Sequence, residues 1–137
     1  MANLELRNAI ADDFDEILRL VHIMIADQGF GEVSNNWHTA ARNVFTQGLT
    51  NGTFTARVID DPETPGRLVA CAIGIISQRM PAFWLPNGKM GYIQWLFVKP
   101  EWRRKGLAQL IVQSLITWFT GRDIERVEVH STPEAVQ

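Results

Sequence analysis

The sequence predicts an α/β (α+β) fold, a mixed and mostly antiparallel twisted sheet with flanking helices. Apolar residues recur alternately at helical spacing and in short strand-like runs, in the order βααββ and then βαβ. The runs Thr53 to Ile59 and Leu68 to Ser77 are joined by the polar Pro/Gly segment Asp60-Asp61-Pro62-Glu63-Thr64-Pro65-Gly66, as in an antiparallel pair. Tyr92 to Val98 has apolar side chains on both alternating faces, as a central strand does, and Pro100 stops it.

Leu4 to Ile10 reads as the first strand. Asp13, with Glu16 three residues on, supplies a capping box for a first helix with the stripe Phe14, Ile17, Leu18, Val21, Met24 and Ile25. That helix ends near Gln28-Gly29, where glycine suits the left-handed cap. After a loop to Asn36, the residues Trp37, Ala40, Ala41, Val44, Phe45 and Leu49 predict a second helix, capped by Ser34, Asn35 or Asn36 and stopped at Asn51-Gly52. The two paired strands follow, then an irregular link from Arg79 to Met90. A third helix has Leu107, Leu110, Ile111, Leu115, Trp118 and Phe119 on one side, and Gly121-Arg122-Asp123 leads to a strand at Ile124 to His130. Ser131-Thr132-Pro133-Glu134 carries helix-start chemistry, yet the sequence ends at Gln137. One turn of helix does not hold itself. The chain is therefore expected to be truncated or completed by a partner.

With 137 residues, 46% hydrophobic and 20% charged, the chain is expected to form one domain spanning 1–137. Net charge is −2, but residues 99 to 105 carry four cations against one acid. Positive charge is focused in one short loop, which favours a compact anionic ligand over a nucleic-acid backbone. Cys71 is the only cysteine, so no internal disulfide forms, and its apolar neighbours mark it as a small buried hydrophobe. Met1 to Arg7 lacks a signal-peptide core and no stretch of about 18 apolar residues occurs, so a cytoplasmic protein with no membrane partner is expected.

The most informative segment is Val98-Lys99-Pro100-Glu101-Trp102-Arg103-Arg104-Lys105-Gly106-Leu107-Ala108, between a strand and a helix. The first four N–H groups of a helix lack internal partners and the helix dipole is positive there, so the junction suits a phosphate. Gly106 lets that phosphate approach without a Cβ in the way. Basic residues in a first turn oppose the dipole, so their clustering makes more sense with an anion present. No P-loop and no Gly-x-Gly-x-x-Gly occurs.

At these residues the chain resembles the GNAT superfamily of acetyl-CoA-dependent N-acetyltransferases. The family's pyrophosphate loop, Gln/Arg-x-x-Gly-x-Gly/Ala, reads here Arg103-Arg104-Lys105-Gly106-Leu107-Ala108. The apolar strand before it, the helix behind it and the order of elements over Leu4 to His130 fit the family as well. The family usually continues with a helix and two more strands; without them the Ile124 to His130 strand lies near an open edge, a site for homodimer formation or aggregation.

The resemblance implies acetyl-CoA as co-substrate, with cofactor-binding residues Leu96, Phe97, Val98, Arg103, Arg104, Lys105, Gly106, Leu107 and Ala108. Its diphosphate would rest on the N–H groups of Arg104 to Ala108, and its pantetheine beside Leu96 to Val98. The thioester carbonyl would meet the Leu96 N–H, exposed by a bulge; such a donor typically contributes about 3 kcal/mol. Many members place a Glu where this chain has Gln94. An amide is no base, so Gln94 would orient a water or the acceptor, or simply pair within the strand. Glu32, His38, Glu101 and His130 are the other candidate bases, each also readable as a surface or capping residue. The family's acidic Tyr has no counterpart. Tyr92, the only Tyr, is expected on the same strand face as Gln94 and Leu96, lining the acceptor side or packing the core.

The acceptor would be an amine on a small molecule or peptide. The apolar link Arg79 to Met90 would lid its site or form a dimer contact. His22, His38 and His130 lack metal-ligand spacing, so no metal is expected, and His22 reads as a packed or capping residue. The leading reading is an N-acetyltransferase; the alternatives are a catalytically weak or inactive acyl-CoA-binding or regulatory module of the same fold, and a phosphate-binding or nucleic-acid-binding domain.

Overall fold

The structure is a computed structural model and describes residues 4–130. Its elements are β1 (Leu6–Asn8), α1 (Phe14–Asp27), α2 (His38–Asn51), β2 (Phe54–Asp60), β3 (Leu68–Gln78), β4 (Lys89–Val98), α3 (Leu107–Thr120) and β5 (Val127–Val129). The five strands lie in the order β1-β2-β3-β4-β5, all neighbours antiparallel except β4 and β5. The mixed, mostly antiparallel sheet expected from the sequence is therefore present.

Helices α1 and α2 cover one face, where Phe14, Ile17, Leu20 and Phe45 pack on Ala56, Val58, Cys71 and Ile73. Helix α3 covers the other, where Leu107, Ile111, Leu115 and Phe119 pack on Ile59, Ala70, Ala72 and Ile93. Two sheet glycines make room for α3. A Cβ on Gly91 would stand 2.7 Å from Phe119 Cε1, and one on Gly74 would stand 3.0 Å from Leu115 Cδ2.

The boundaries differ from the sequence reading where hydrogen bonds overrule propensity. Only Leu6–Asn8 of the first run is strand, because the chain leaves β2 to make a 3₁₀ turn at Ala11–Asp13. The expected capping box does not form. Asp13 instead reaches back to the Ile10 N–H at 2.8 Å and takes both Arg7 amino groups at 2.9 Å. None of Ser34, Asn35 or Asn36 caps α2 with its side chain; the Ser34 hydroxyl accepts from the Asn36 N–H and Trp37 sits at the cap. β4 takes in Lys89 and Met90 from the expected link together with Gly91, since these residues pair with Ile76–Gln78. β5 is shorter than Ile124 to His130; Ile124 is buried under α3 instead. The expected helix start at Ser131 to Glu134 lies outside the described residues.

Glu16, freed from capping, accepts from Arg19 Nε (2.9 Å), Arg67 (2.8 Å) and the Leu68 N–H (3.0 Å), tying α1 to β3. Burial works against its charge, but these donors together outweigh it and hold the carboxyl below the usual range. The ionised form therefore favours folding at neutral pH, and that contribution fades as pH falls below the ordinary value near 4.5. Glu16→Gln is expected to lose about 2 kcal/mol in urea unfolding at pH 7 and much less at pH 3, so the difference between the two proteins narrows as the solution is acidified.

Candidate active site

Between β3 and β4, Cys71 pairs with Phe97 and Ile73 with Gln94, so Trp95 and Leu96 together face Ala72. This is a bulge, and Trp95 adopts φ 57° there. The extra residue breaks the alternation expected for Tyr92, Gln94 and Leu96. Leu96 packs with the α3 core, whereas Trp95 and Phe97 pack with Phe14 on the α1 face.

A bulky residue in the left-handed region costs roughly 1–2 kcal/mol. In urea unfolding, Trp95→Gly is accordingly expected to be about 1 kcal/mol more stable than Trp95→Ala, the reverse of the usual order in a strand. Both lose the packing of the indole on Phe14 and Trp37.

The bulge also orients a backbone group. Burial pushes the Cys71 thiol up to about 12, so it stays protonated and donates to the Trp95 carbonyl at 3.3 Å. In a planar trans peptide the N–H points opposite the carbonyl, so the Leu96 N–H is directed away from Cys71. β5 pairs with β4 only over Gly91–Ile93, with two flanking bonds, from the Gly91 N–H to the Arg126 carbonyl and from the His130 N–H to the Ile93 carbonyl, both at 2.8 Å. Beyond that fork, among the described residues, no strand covers the outer edge of β4 from Gln94 to Val98.

At the far end of that edge a 3₁₀ turn, Pro100–Trp102, leads into the basic loop. Arg104 (φ 63°) and Gly106 (φ 78°) are both left-handed, which turns successive amides outward. Among the described residues no acceptor reaches the N–H of any residue from Arg104 to Gln109; the first N–H of α3 that is satisfied belongs to Leu110, at 3.0 Å from the Gly106 carbonyl. A Cβ built on Gly106 meets nothing within 4 Å. These six amides and the space before them form a cradle for an anion.

The expected cations divide into two groups. Arg103 turns back: its Nε donates to the Val98 carbonyl at 2.9 Å, an amino group reaches Asp27 at 3.1 Å, and its guanidinium lies 5.4 Å from the centre of the Phe97 ring. Lys99 pairs with Glu101 at 3.1 Å. Arg104 and Lys105 are exposed, with Lys105 Nζ 6.0 Å from the centre of the Trp102 ring.

An open cleft of about 540 Å³ joins the pieces. Leu96, Phe97 and Val98 form its floor, and Arg104, Gly106 and Ala108 close one end. Met24 and Asp27 of α1, with Gln28 that follows it, also line the cleft. The sequence reading missed these three, because nothing in an amphipathic stripe marks which turn of a helix ends beside a cleft.

The candidate bases scatter. Glu32 is exposed in the loop before α2, and Glu101 is held by Lys99. His38 lies 2.7 Å from His22, Nε2 to Nε2, with the His22 ring stacked on Trp37. His130 lies beside Gln94, its Nδ1 3.1 Å from the Gln94 Nε2. Tyr92 is buried, its hydroxyl accepting from Arg79. In the link before β4, Leu85 folds onto Met90 and Tyr92, while the tip residue Phe83 is 91% exposed. Among the described residues no group of three His, Cys, Asp or Glu side chains could hold a metal, and no helix is long and apolar enough to cross a membrane.

A sequence comparison with curated proteins finds no match. Solved structures share the fold. A predicted acetyltransferase from Clostridium acetobutylicum, solved with acetyl-CoA, superposes with TM-score 0.84 at 17% identity, covering 96% of this chain and 83% of that one. A GCN5-related N-acetyltransferase from Ralstonia eutropha gives 0.75 at 23% identity, covering 98% and 87%. Glucosamine-6-phosphate N-acetyltransferase from Arabidopsis thaliana gives 0.71 at 19% identity, covering 96% and 84%. The model of the acetyltransferase (GNAT) family matches residues 16–136, and with the forked sheet and the amide cradle in place, the chain belongs to that family.

Proposed function

We propose that this protein transfers acetyl from acetyl-CoA to a primary amine. The observation that carries the reading is the row of unpartnered amides from Arg104 to Gln109 at the head of a cleft floored by the free edge of β4. In this reading the amides of Arg104 to Ala108 hold the diphosphate, with Arg104 and Lys105 adding charge and Arg103 bracing the loop. The edge at Leu96, Phe97 and Val98 holds the pantetheine arm. The Leu96 N–H donates to the thioester oxygen as negative charge builds on it, worth about 3 kcal/mol in such sites. Gln94, two residues before that donor, orients the incoming amine. The chain supplies positioning and one fixed dipole, and the bond exchange is between the amine nitrogen and the acetyl carbon.

The acceptor is a small molecule or peptide bearing a free amine; neighbours of this fold include a glucosamine-6-phosphate N-acetyltransferase and an aminoglycoside acetyltransferase solved with sisomicin. Gln94, an amide where many relatives carry a carboxylate, supports a second reading, an acyl-CoA-binding module without turnover. Free-thiol release from acetyl-CoA across sisomicin, glucosamine 6-phosphate, spermidine and a lysine peptide separates the two. Amine-dependent release is expected; acetyl-CoA binding by calorimetry with no release from any amine favours the second reading, and displacement of acetyl-CoA by an oligonucleotide overturns both.

A further inference from the structure

His130 ends β5 at the point where β5 parts from β4, and its N–H makes the last bond across the fork, to the Ile93 carbonyl at 2.8 Å. Its imidazole lies on the α1 face of the sheet against the Tyr92 ring, 4.7 Å between centres and inclined at 63°. Nδ1 stands 3.1 Å from the Gln94 amide, and Nε2 stands 3.6 Å from a Glu128 carboxylate oxygen. Carboxylate, imidazole and amide thus form a line that ends one residue before the bulge at Trp95 and Leu96. Among the described residues, the charged and titratable groups facing the ring are Glu128 on β5 and Tyr92 on β4, the latter bonded in turn to Arg79.

We propose that His130 is the catalytic base, taking a proton from the acceptor ammonium at Nδ1 while Gln94 holds the amine and Glu128 stabilises the imidazolium. This inference rests on the acetyl-transfer reading above. The chemistry balances: the ammonium yields one proton to neutral His130, the freed nitrogen lone pair forms the C–N bond, and the C–S bond breaks. The second proton lost from nitrogen passes to the departing sulfur, and His130 returns its own proton to solvent. An amide at position 94 fits this arrangement. Its Nε2 donates to Nδ1 in the resting state, which leaves the ring Nε2–H toward Glu128; the incoming ammonium displaces that amide donor from Nδ1, and the amide oxygen accepts from the amine.

The fastest amine of the panel above is the probe. His130→Gln is expected to lower kcat about 100-fold or more at pH 7 while acetyl-CoA binding by calorimetry stays within twofold. The acid limb of kcat/KM in the parent protein should disappear in His130→Gln, whose rate instead climbs with pH as the amine deprotonates itself. Glu128→Gln removes the carboxylate 3.6 Å from Nε2 and should lower kcat while acetyl-CoA binding stays within twofold. Proton NMR gives a readout independent of turnover: the imidazole signal missing from His130→Gln should move on addition of the amine, because that ring lies beside Gln94 at 3.1 Å. A His130→Gln protein that keeps the parent kcat and acid limb overturns the inference alone, as does a parallel loss of acetyl-CoA affinity. A parent protein that acetylates none of the amines overturns it together with the transferase reading.

Discussion

Gly106→Glu is expected to weaken acetyl-CoA binding at least about 100-fold by calorimetry, a loss near 2.7 kcal/mol or more. Two effects add. The side chain would enter the space before the cradle, where a Cβ on Gly106 meets no atom within 4 Å, and its carboxylate would place negative charge where the unpartnered amides from Arg104 to Gln109 await an anion. The backbone at φ 78° strains any L-residue by roughly 1 kcal/mol, so the protein stays folded with its melting temperature lowered by a few degrees. Gly106→Ala separates strain from charge. It shares the backbone cost but not the carboxylate, and should bind acetyl-CoA within about tenfold of the parent. Equal losses in the two variants would mean that the anion does not sit before this amide row.

Phe119→Ala carries the largest expected effect on stability, about 3–5 kcal/mol in urea unfolding. The ring is fully buried and fills the space that Gly91 and Gly74 leave above the sheet. The sheet beneath the ring is glycine backbone and offers no side chain to fill the void, which leaves only the flanking Leu115 and Ile124 to relax toward it. The ring also presses on Gly91, which pairs with Val127, so the variant should lose amide protection in β5 before the rest of the sheet as measured by hydrogen exchange. Uniform loss of protection would show that the ring supports the core without special contact to the fork.

Periodicity alone located three helices and five strands in their right order, because each buries one apolar face and spacing reports which face that is. It could not set the ends. Asp13 and Glu16 have the composition of a capping box, but both carboxylates find other partners, Arg7 and the Ile10 N–H for Asp13, and Arg19 with the distant Arg67 and Leu68 N–H for Glu16. The basic loop was legible because glycine and clustered cations at a helix start have few other physical uses. The bracing bonds of Arg103 were not: its guanidinium spans Val98, Asp27 and Phe97, while the residue also lines the cleft. Alternation placed Tyr92, Gln94 and Leu96 on one face, and a single inserted residue sent Leu96 to the other. Nothing local announces such a bulge, since Trp95 is a poor residue for φ 57° and is held there by Phe14 and Trp37. The meeting of Gln94 with His130 depends on a parallel pairing three residues long between segments that α3 separates.

The Arg103 brace bears on how fast and how tightly the loop can capture its ligand. A glycine-containing loop left to itself samples many shapes, and each must be given up on association. Here one guanidinium ties the carbonyl at the end of β4 to the last turn of α1, so most of that conformational freedom is already spent during folding. Capture then needs no rearrangement of the main chain, and the encounter rate should be set by diffusion and by the field of the exposed Arg104 and Lys105, falling as salt is raised.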